Sequence, residues 1–92
     1  MQVYFRQESS DLNLVAKEAE MAEDLGFDGF SSYDLNHEAF MPLVVAAGVT
    51  ERISLETRAA IAFSRSPVLT AYTSWDLQDY SKGRFKLGMV AQ

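Results

Sequence analysis

The chain has 92 residues, 48% of them hydrophobic and 23% charged, a balance that predicts one small folded domain. Its formal net charge of −5 disfavours nucleic acid as a partner, because nucleic-acid binding needs a concentration of positive charge. The absence of cysteine excludes disulfides, iron–sulfur clusters and a cysteine nucleophile, and a single histidine excludes a histidine-rich metal site.

The first predicted unit is a short strand followed by a helix. Residues 3–6 favour a strand and lack the charged start and long apolar run of a secretory signal, which predicts a cytoplasmic protein without a membrane anchor. Beyond a polar loop, Gly26 is expected to end a helix. The apolar residues that predict this helix, at spacings of three and four, are Leu12, Val15, Ala19, Ala22 and Leu25.

A second unit of the same kind follows. Residues 28–32 predict a strand and residues 33–37 its loop, in which Asn36 is a candidate N-cap for the next helix. Pro42 falls early enough in that helix to be tolerated. Its apolar stripe consists of Phe40, Leu43, Val44 and Ala47.

The third unit is closed by a fourth strand. Residues 53–57 predict a strand and residues 58–66 a loop, after which Ser66 and Pro67 supply a cap and a first-turn proline for a helix that reaches about residue 80. Gly83 is expected to stop this helix before a strand over residues 85–90. A β-α unit that recurs about every 25 to 30 residues predicts an α/β fold whose strands are parallel.

Aromatic and basic residues near the third helix receive structural predictions. Tyr72, Trp75 and Phe85 are expected to pack between that helix and the sheet. Arg84 is expected to pair with a nearby carboxylate and to position the turn at Gly83.

Several segments, in their order and spacing, resemble the luciferase-like monooxygenases, and in particular the branch of oxidoreductases that uses the deazaflavin coenzyme F420. These segments are residues 22–29 (AEDLGFDG), 50–55 (TERISL), 62–67 (AFSRSP), 75–78 (WDLQ) and 81–88 (SKGRFKLG). The resemblance implies a (β/α)₈ TIM barrel of about 250 residues or more. Residues 1–92 would then form a single truncated barrel domain, the N-terminal half with about four parallel strands and three helices.

The implied activity is hydride transfer between the deazaflavin F420 and a small organic substrate, with FMN as the alternative cofactor. The chain is expected not to be active alone, because it holds only the first part of such a barrel. Two residues depart from the family pattern: Glu56 and Val90 stand where glycine is usual, and the valine side chain would crowd a cofactor that needs bare backbone. They favour a second hypothesis, a non-catalytic half-barrel remnant that self-associates.

The resemblance places an acidic residue and a histidine of the second loop near the redox ring. Asp34 and His37 are therefore candidate catalytic residues, since a histidine exchanges protons near neutral pH and a carboxylate can orient it. The alternative is a surface loop in which Asp34 and Asn36 only cap the next helix and His37 is solvated.

The third loop and the end of the fourth strand supply the candidate cofactor-binding residues. Ala60 and Ile61 belong to a small apolar loop that suits a backbone lying flat against a planar ring, and the resemblance implies a peptide there that is often cis. Gln92 could hydrogen-bond the cofactor in a whole barrel. The alternative for the loop is simple burial, and residues 64–66 are expected to cap a helix rather than bind an anion.

The predicted sheet leaves surfaces that other chains could cover. Right-handed crossovers place all helices on one face of a four-stranded parallel sheet, so the face that lines a barrel interior and both edge strands stay free. The expected partners are therefore a second copy of the chain or the missing C-terminal part of a barrel, together with a small-molecule substrate.

Overall fold

A computed structural model of the protein describes residues 1–35 and 38–91. Within this part, the helices and strands alternate much as the sequence predicts. The helices are α1 (Leu12–Asp24), α2 (Phe40–Val49) and α3 (Pro67–Tyr80), and a 3₁₀ turn covers Ala62–Ser64. The strands are β1 (Tyr4–Arg6), β2 (Gly29–Ser32), β3 (Ser54–Thr57), β4 (Ala60–Ile61), β5 (Phe85–Lys86) and β6 (Met89–Val90).

The main sheet is parallel, and its strands lie in the order β1-β2-β3-β5. One row of the register joins Phe5, Phe30, Leu55 and Phe85 across all four strands. Each neighbouring pair is connected by a helix, which is the arrangement that the repeating β-α pattern predicts. The prediction of an α/β fold with four parallel strands and three helices is confirmed.

The core lies between the sheet and the helices. Phe30 and Leu55, at the centre of the sheet, are fully buried and belong to one apolar cluster with residues of α1 and α2. Burying a side chain of this size contributes about 1.5 to 3 kcal/mol, so this layer is the main source of stability. The helix residues of the cluster are Val15, Ala19, Ala22, Phe40, Leu43, Ala46, Ala47 and Leu77.

The predicted helix ends are confirmed where the structure describes them. Ser66 caps α3 by accepting a hydrogen bond from the Leu69 N–H, and Pro67 is its first residue. Gly26 and Gly83 follow α1 and α3 with φ angles of 88° and 85°, in the left-handed region that glycine enters without steric cost. Asn36, the expected cap of α2, lies outside the described residues.

The fourth predicted strand is interrupted, and this expectation was wrong in detail. β5 joins the main sheet, whereas β6 pairs with β4 in a separate two-stranded parallel sheet. The hydroxyl of Thr57 accepts from the Gly88 N–H and donates to the Gly88 carbonyl, both at 2.8 Å. The Gly88 N–H thus bonds a side chain of β3, the strand is interrupted between β5 and β6, and the predicted loop contributes β4.

Two aromatic residues of α3 were wrongly expected in the core. Tyr72 and Trp75 are 64% and 78% exposed, whereas Phe85 is buried as expected. The buried side of α3 is centred on Thr70 and Leu77, which lie two turns apart on the same face. Tyr72 and Trp75 each stand two residues from one of them, which is about 200° around the helix and therefore on its opposite side.

Arg84 ties the turn before β5 to the end of α2, though not through a carboxylate as expected. Its guanidinium donates to the carbonyls of Ala47, Thr50 and Ile53 at 3.1 to 3.2 Å. It also donates to the Thr50 hydroxyl at 2.9 Å and to the Ser81 carbonyl at 2.8 Å. The predicted structural role is confirmed, but the acceptors are one hydroxyl and backbone carbonyls, of which Ala47 and Thr50 lie at the C-terminal end of α2.

Glu23, like Arg84, bonds backbone groups of the turn between α2 and β3, at the N-terminal end of the sheet. Its carboxylate accepts from the backbone N–H groups of Glu51, Arg52 and Ile53 at 2.7 to 3.1 Å. Partial burial raises the pKa of Glu23, but these donors and the Arg52 charge together lower it by more, to below its ordinary value. Two of the segments that carry the family resemblance, residues 22–29 and 50–55, are thus bonded to each other.

No helix in the described part of the chain is long and apolar enough to span a bilayer.

Candidate functional site

At the C-terminal end of the sheet, an ion-pair network joins two segments that are far apart in sequence, the loop after β2 and the segment before α3. Arg65, just before α3, donates to the two carboxylate oxygens of Asp34 at 2.6 and 3.3 Å. It also donates to Glu38, ahead of α2, at 2.8 Å. Its guanidinium carbon lies 5.0 Å from the centre of the Phe40 ring, within the range of a cation–π contact.

Asp34 accepts two backbone hydrogen bonds in addition. Its Oδ1 accepts from the Ala39 N–H and its Oδ2 from the Ile61 N–H, both at 2.8 Å. The first bond satisfies an amide at the start of α2, where no side chain of the N-cap residue does so. The second holds β4 in place, so one carboxylate fixes both the second and the third loop.

The titration of this pair follows from its contacts. Partial burial raises the pKa of Asp34, but the hydrogen bonds and charge of Arg65 and the two backbone donors lower it by more, to below its ordinary value. The bond to Asp34 in turn raises the pKa of Arg65. Asp34 is therefore ionised near neutral pH, and both of its oxygens are engaged.

This geometry bears on the predicted catalytic pair. Asp34 does cap the next helix, as the alternative interpretation expected, and its bonds to Arg65 and Ile61 add a role that the sequence did not indicate. His37 and Gln92 lie outside the described residues.

The predicted cofactor loop is more ordered than expected. Ala60 is buried and donates its N–H to the Gly88 carbonyl at 2.9 Å, while Ile61 is half-buried and donates to Asp34. The cis peptide bond joins Arg58 to Ala59 and not Ala60 to Ile61, which corrects the expected position. The Arg58 N–H donates to the Ser32 carbonyl, and the Ala60 N–H donates to the Gly88 carbonyl. The loop is therefore anchored on both sides of the cis peptide bond.

An apolar surface surrounds this ordered loop. Leu35, Phe63, Met89 and Val90 are between 42% and 79% exposed, and they flank Asp34, the 3₁₀ turn and the paired strands β4 and β6. Exposed apolar side chains beside fixed backbone suit a planar ring. Phe63 belongs to the apolar third loop that the sequence predicts, and the structure places it, exposed, in the 3₁₀ turn.

Comparison with known proteins gives the family. A family model described as luciferase-like monooxygenase matches residues 3–92. Two curated relatives, the uncharacterized proteins Rv1360 of Mycobacterium tuberculosis and Mb1395 of Mycobacterium bovis, are each 45% identical over 83 residues. The match covers 87% of this chain and 24% of theirs, so the chain spans about a quarter of the length of these relatives.

Solved structures share the fold. The coenzyme F420-dependent tetrahydromethanopterin reductase of Methanopyrus kandleri is 26% identical with a TM-score of 0.82, over 97% of this chain and 26% of that one. Monooxygenase RslO1 of Streptomyces bottropensis (21% identity, TM-score 0.85) and a type II Baeyer–Villiger monooxygenase of Pseudomonas putida in complex with FMN (18%, 0.86) show the fold alone. They cover 97% and 100% of this chain and 32% and 30% of their own lengths.

These neighbours are TIM-barrel proteins, so the four parallel strands correspond to a part of such a barrel, and the resemblance inferred from the sequence segments is confirmed. The chain belongs to the luciferase-like monooxygenase family.

Proposed function

We propose that this chain forms the cofactor-facing N-terminal part of an oxidoreductase that transfers hydride between coenzyme F420 and a small organic substrate. The observation that carries this proposal is the set of exposed apolar side chains next to the Asp34-anchored loop, in a luciferase-like chain that shares its fold with an F420-dependent reductase. FMN is the alternative cofactor, supported by the FMN complex of a monooxygenase that shares the fold and is less similar in sequence.

The residues that would hold the ring are Ala60 and Ile61, with Phe63 and Val90 beside them. The coenzyme, when bound, supplies a carbon that accepts or donates hydride. The protein supplies position: Asp34 fixes the loop through the Ile61 N–H and thereby the apolar side chains that a ring would contact. Gln92 is retained as a proposed hydrogen-bond donor to the cofactor.

Proton handling is proposed for His37 and a positioning role for Asp34. Asp34 has four donors on its two oxygens and a pKa below its ordinary value, so it holds its neighbours without exchanging a proton near neutral pH. A histidine titrates in that range and follows Asp34 by three residues. Replacing Asp34 should then lower ring affinity, whereas replacing His37 should lower turnover in a complete enzyme.

Titration with each cofactor tests the proposal. Coenzyme F420 and FMN are added separately to the protein, and quenching of cofactor fluorescence is followed. Saturable binding in the micromolar range that is weakened at least about tenfold by Phe63→Ser is expected. Leu25→Ser, at an exposed apolar residue outside the site, is the matched control and should change affinity little. The preferred cofactor is the one that binds more tightly.

Absence of binding by either cofactor would contradict this function and support the second candidate, a non-catalytic half-barrel. The observation that favours the second candidate is that Glu56 keeps a side chain on the sheet, where its carboxylate pairs with Arg58 at 3.1 Å. Val90 likewise presents a side chain beside Ile61, its partner in the register of β4 and β6.

Residues 1–92 alone are not expected to catalyse the reaction. The solved structures that share this fold are three to four times as long, and the outward side of α3 exposes Val68, Leu69, Tyr72 and Trp75. We propose that further β-α units of a barrel cover this side and that the protein works in the cytoplasm. A β-α polypeptide comprising the remainder of a longer relative should bind and reduce the accessibility of Trp75 to acrylamide.

Size-exclusion chromatography with light scattering separates the outcomes. A complex of one chain with one such polypeptide is the expected result. Self-association into a dimer would instead identify a second copy of the chain as the partner. A folded monomer that binds neither a second copy nor the β-α polypeptide would overturn the partner proposal.

A further inference from the structure

The face of the sheet opposite the helices carries charge where a barrel interior is ordinarily filled by bulky apolar side chains. Alternation along each strand places Arg6, Ser31, Glu56 and Lys86 in one register row on this face. The adjacent row of Phe5, Phe30, Leu55 and Phe85 points to the helices.

One arginine is held over this face by a tyrosine. The guanidinium carbon of Arg58 lies 4.2 Å from the centre of the Tyr4 ring. That ring covers Gly29, where any Cβ would overlap it, so the glycine gives the ring room to lie against the sheet. Glu56 fixes the Nε side of the same guanidinium at 3.1 Å, which leaves both Nη groups without a hydrogen-bond partner among residues 1–35 and 38–91.

A second arginine is arranged in the same way. The guanidinium carbon of Arg6 lies 4.2 Å from the centre of the Tyr33 ring, and Tyr33 follows β2 on the same face. Within the part of the chain that the structure describes, Arg6 and Lys86 form no ion pair.

The charge on this face differs in sign from that of the whole molecule. The chain has a net charge of −5, yet three of its eight lysine and arginine residues, Arg6, Arg58 and Lys86, lie here beside the single carboxylate of Glu56. Positive charge gathered on one face of an acidic protein attracts anions to that face.

We propose that this face is an oxyanion-binding site, which receives the carboxylate or phosphate group of a small molecule. The N–H groups of an arginine match the two oxygens of a carboxylate or phosphate. Lys86 adds a point charge, and a cation–π contact with a tyrosine ring helps to hold each guanidinium in place. The site involves no cofactor residue and stands whether or not F420 or FMN binds.

The test is a titration of the 92-residue protein with sodium phosphate and, separately, with sodium benzoate at low ionic strength. NMR shifts of the Tyr4 and Tyr33 ring protons and isothermal calorimetry report binding. Saturable binding of at least one probe is expected, and the tighter probe shows whether the group is a phosphate or a carboxylate. Arg6→Gln and Arg58→Gln should each weaken binding at least about tenfold.

Lys17→Gln is the matched control, because it removes the same charge from the exposed side of α1 and should weaken binding less than about twofold. Arg6→Lys keeps the positive charge but loses the paired N–H donors of the guanidinium, so an intermediate affinity is expected. If Arg6→Gln does not fold, the affinity of Arg6→Lys tests the site in its place. Failure of both probes to saturate, or an equal loss of affinity in Lys17→Gln, would overturn the site. Since neither probe is a redox cofactor, this result is independent of the F420 and FMN titrations.

Discussion

The two ends of the sheet use the same residue types for different purposes. At the N-terminal end, Glu23 and Arg84 bond backbone groups of turns between helices and strands. At the C-terminal end, Asp34 and Arg65 pair with each other and hold two loops whose exposed neighbours are apolar.

The difference separates stability from function. The N-terminal network satisfies backbone groups that would otherwise lack hydrogen-bond partners near helix ends. It therefore contributes to the free energy of folding. The C-terminal network arranges a surface that is open to solvent, where loops on a rigid scaffold ordinarily bind ligands. Substitutions at the first end should therefore act on the free energy of unfolding, and those at the second should act on loop order and ligand affinity as well.

The largest effect is expected for Arg84→Met, which removes the donors to Ala47, Thr50 and Ile53 but keeps an unbranched side chain. The free energy of unfolding should fall by about 3 kcal/mol, because several carbonyls lose a charged donor at once. Urea unfolding followed by circular dichroism measures it. Lys82→Met, at an exposed neighbour, is the control, and an equal loss in both variants would contradict the role of the network.

Gly88→Ala should follow, with a loss of about 2 kcal/mol. A Cβ at Gly88 would overlap the backbone carbonyl of Thr57, which cannot move without disturbing β3. Gly48→Ala is the comparison, since a Cβ there meets only the Tyr80 hydroxyl at the end of a movable side chain, and alanine favours the helix. Thermal unfolding of the two variants should show the larger loss at Gly88; the reverse order would refute the close approach.

Asp34→Asn should cost about 1.5 kcal/mol and should act locally. Loss of the carboxylate charge weakens the bonds from Arg65 and from the Ile61 and Ala39 amides. Hydrogen exchange should therefore accelerate at those two amides and stay unchanged at Arg52, in the other network. Asp79→Asn, on the exposed side of α3, is the control. Equal acceleration at both ends of the sheet would show that the networks are not separate.

Acidification should produce the smallest effect, about 1 kcal/mol. The pKa values of Asp34 and Glu23 are lower in the folded protein than in the unfolded chain, so their contribution is present above the unfolded pKa values and is lost as the pH falls through the folded ones. Urea midpoints should decline below about pH 4. Asp34→Asn and Glu23→Gln should each flatten the decline, and a wild-type slope in both would contradict these assignments.

Local patterns predicted most of the fold. The apolar stripe of α1 and the Ser66-Pro67 start of α3 reflect helix periodicity and capping, which depend on residues within one or two turns. Such local patterns do not show which side of α3 is buried, because that depends on where the sheet lies. The burial predicted for Tyr72 and Trp75 was therefore wrong. The candidate site was predicted in part: Asp34 was chosen, but its partner Arg65 was taken only as part of a helix start.

The sequence by itself determined an α/β chain of parallel β-α units in the luciferase-like family, because strand and helix signals and the family segments are read along the chain. Only the tertiary structure decided that Asp34 bonds Arg65 and Ile61, that Gly88 lies against Thr57 and that three cations share one face of the sheet. The partners in the first two contacts are separated by at least 27 residues, and such distant groups meet only when the strands are set in register.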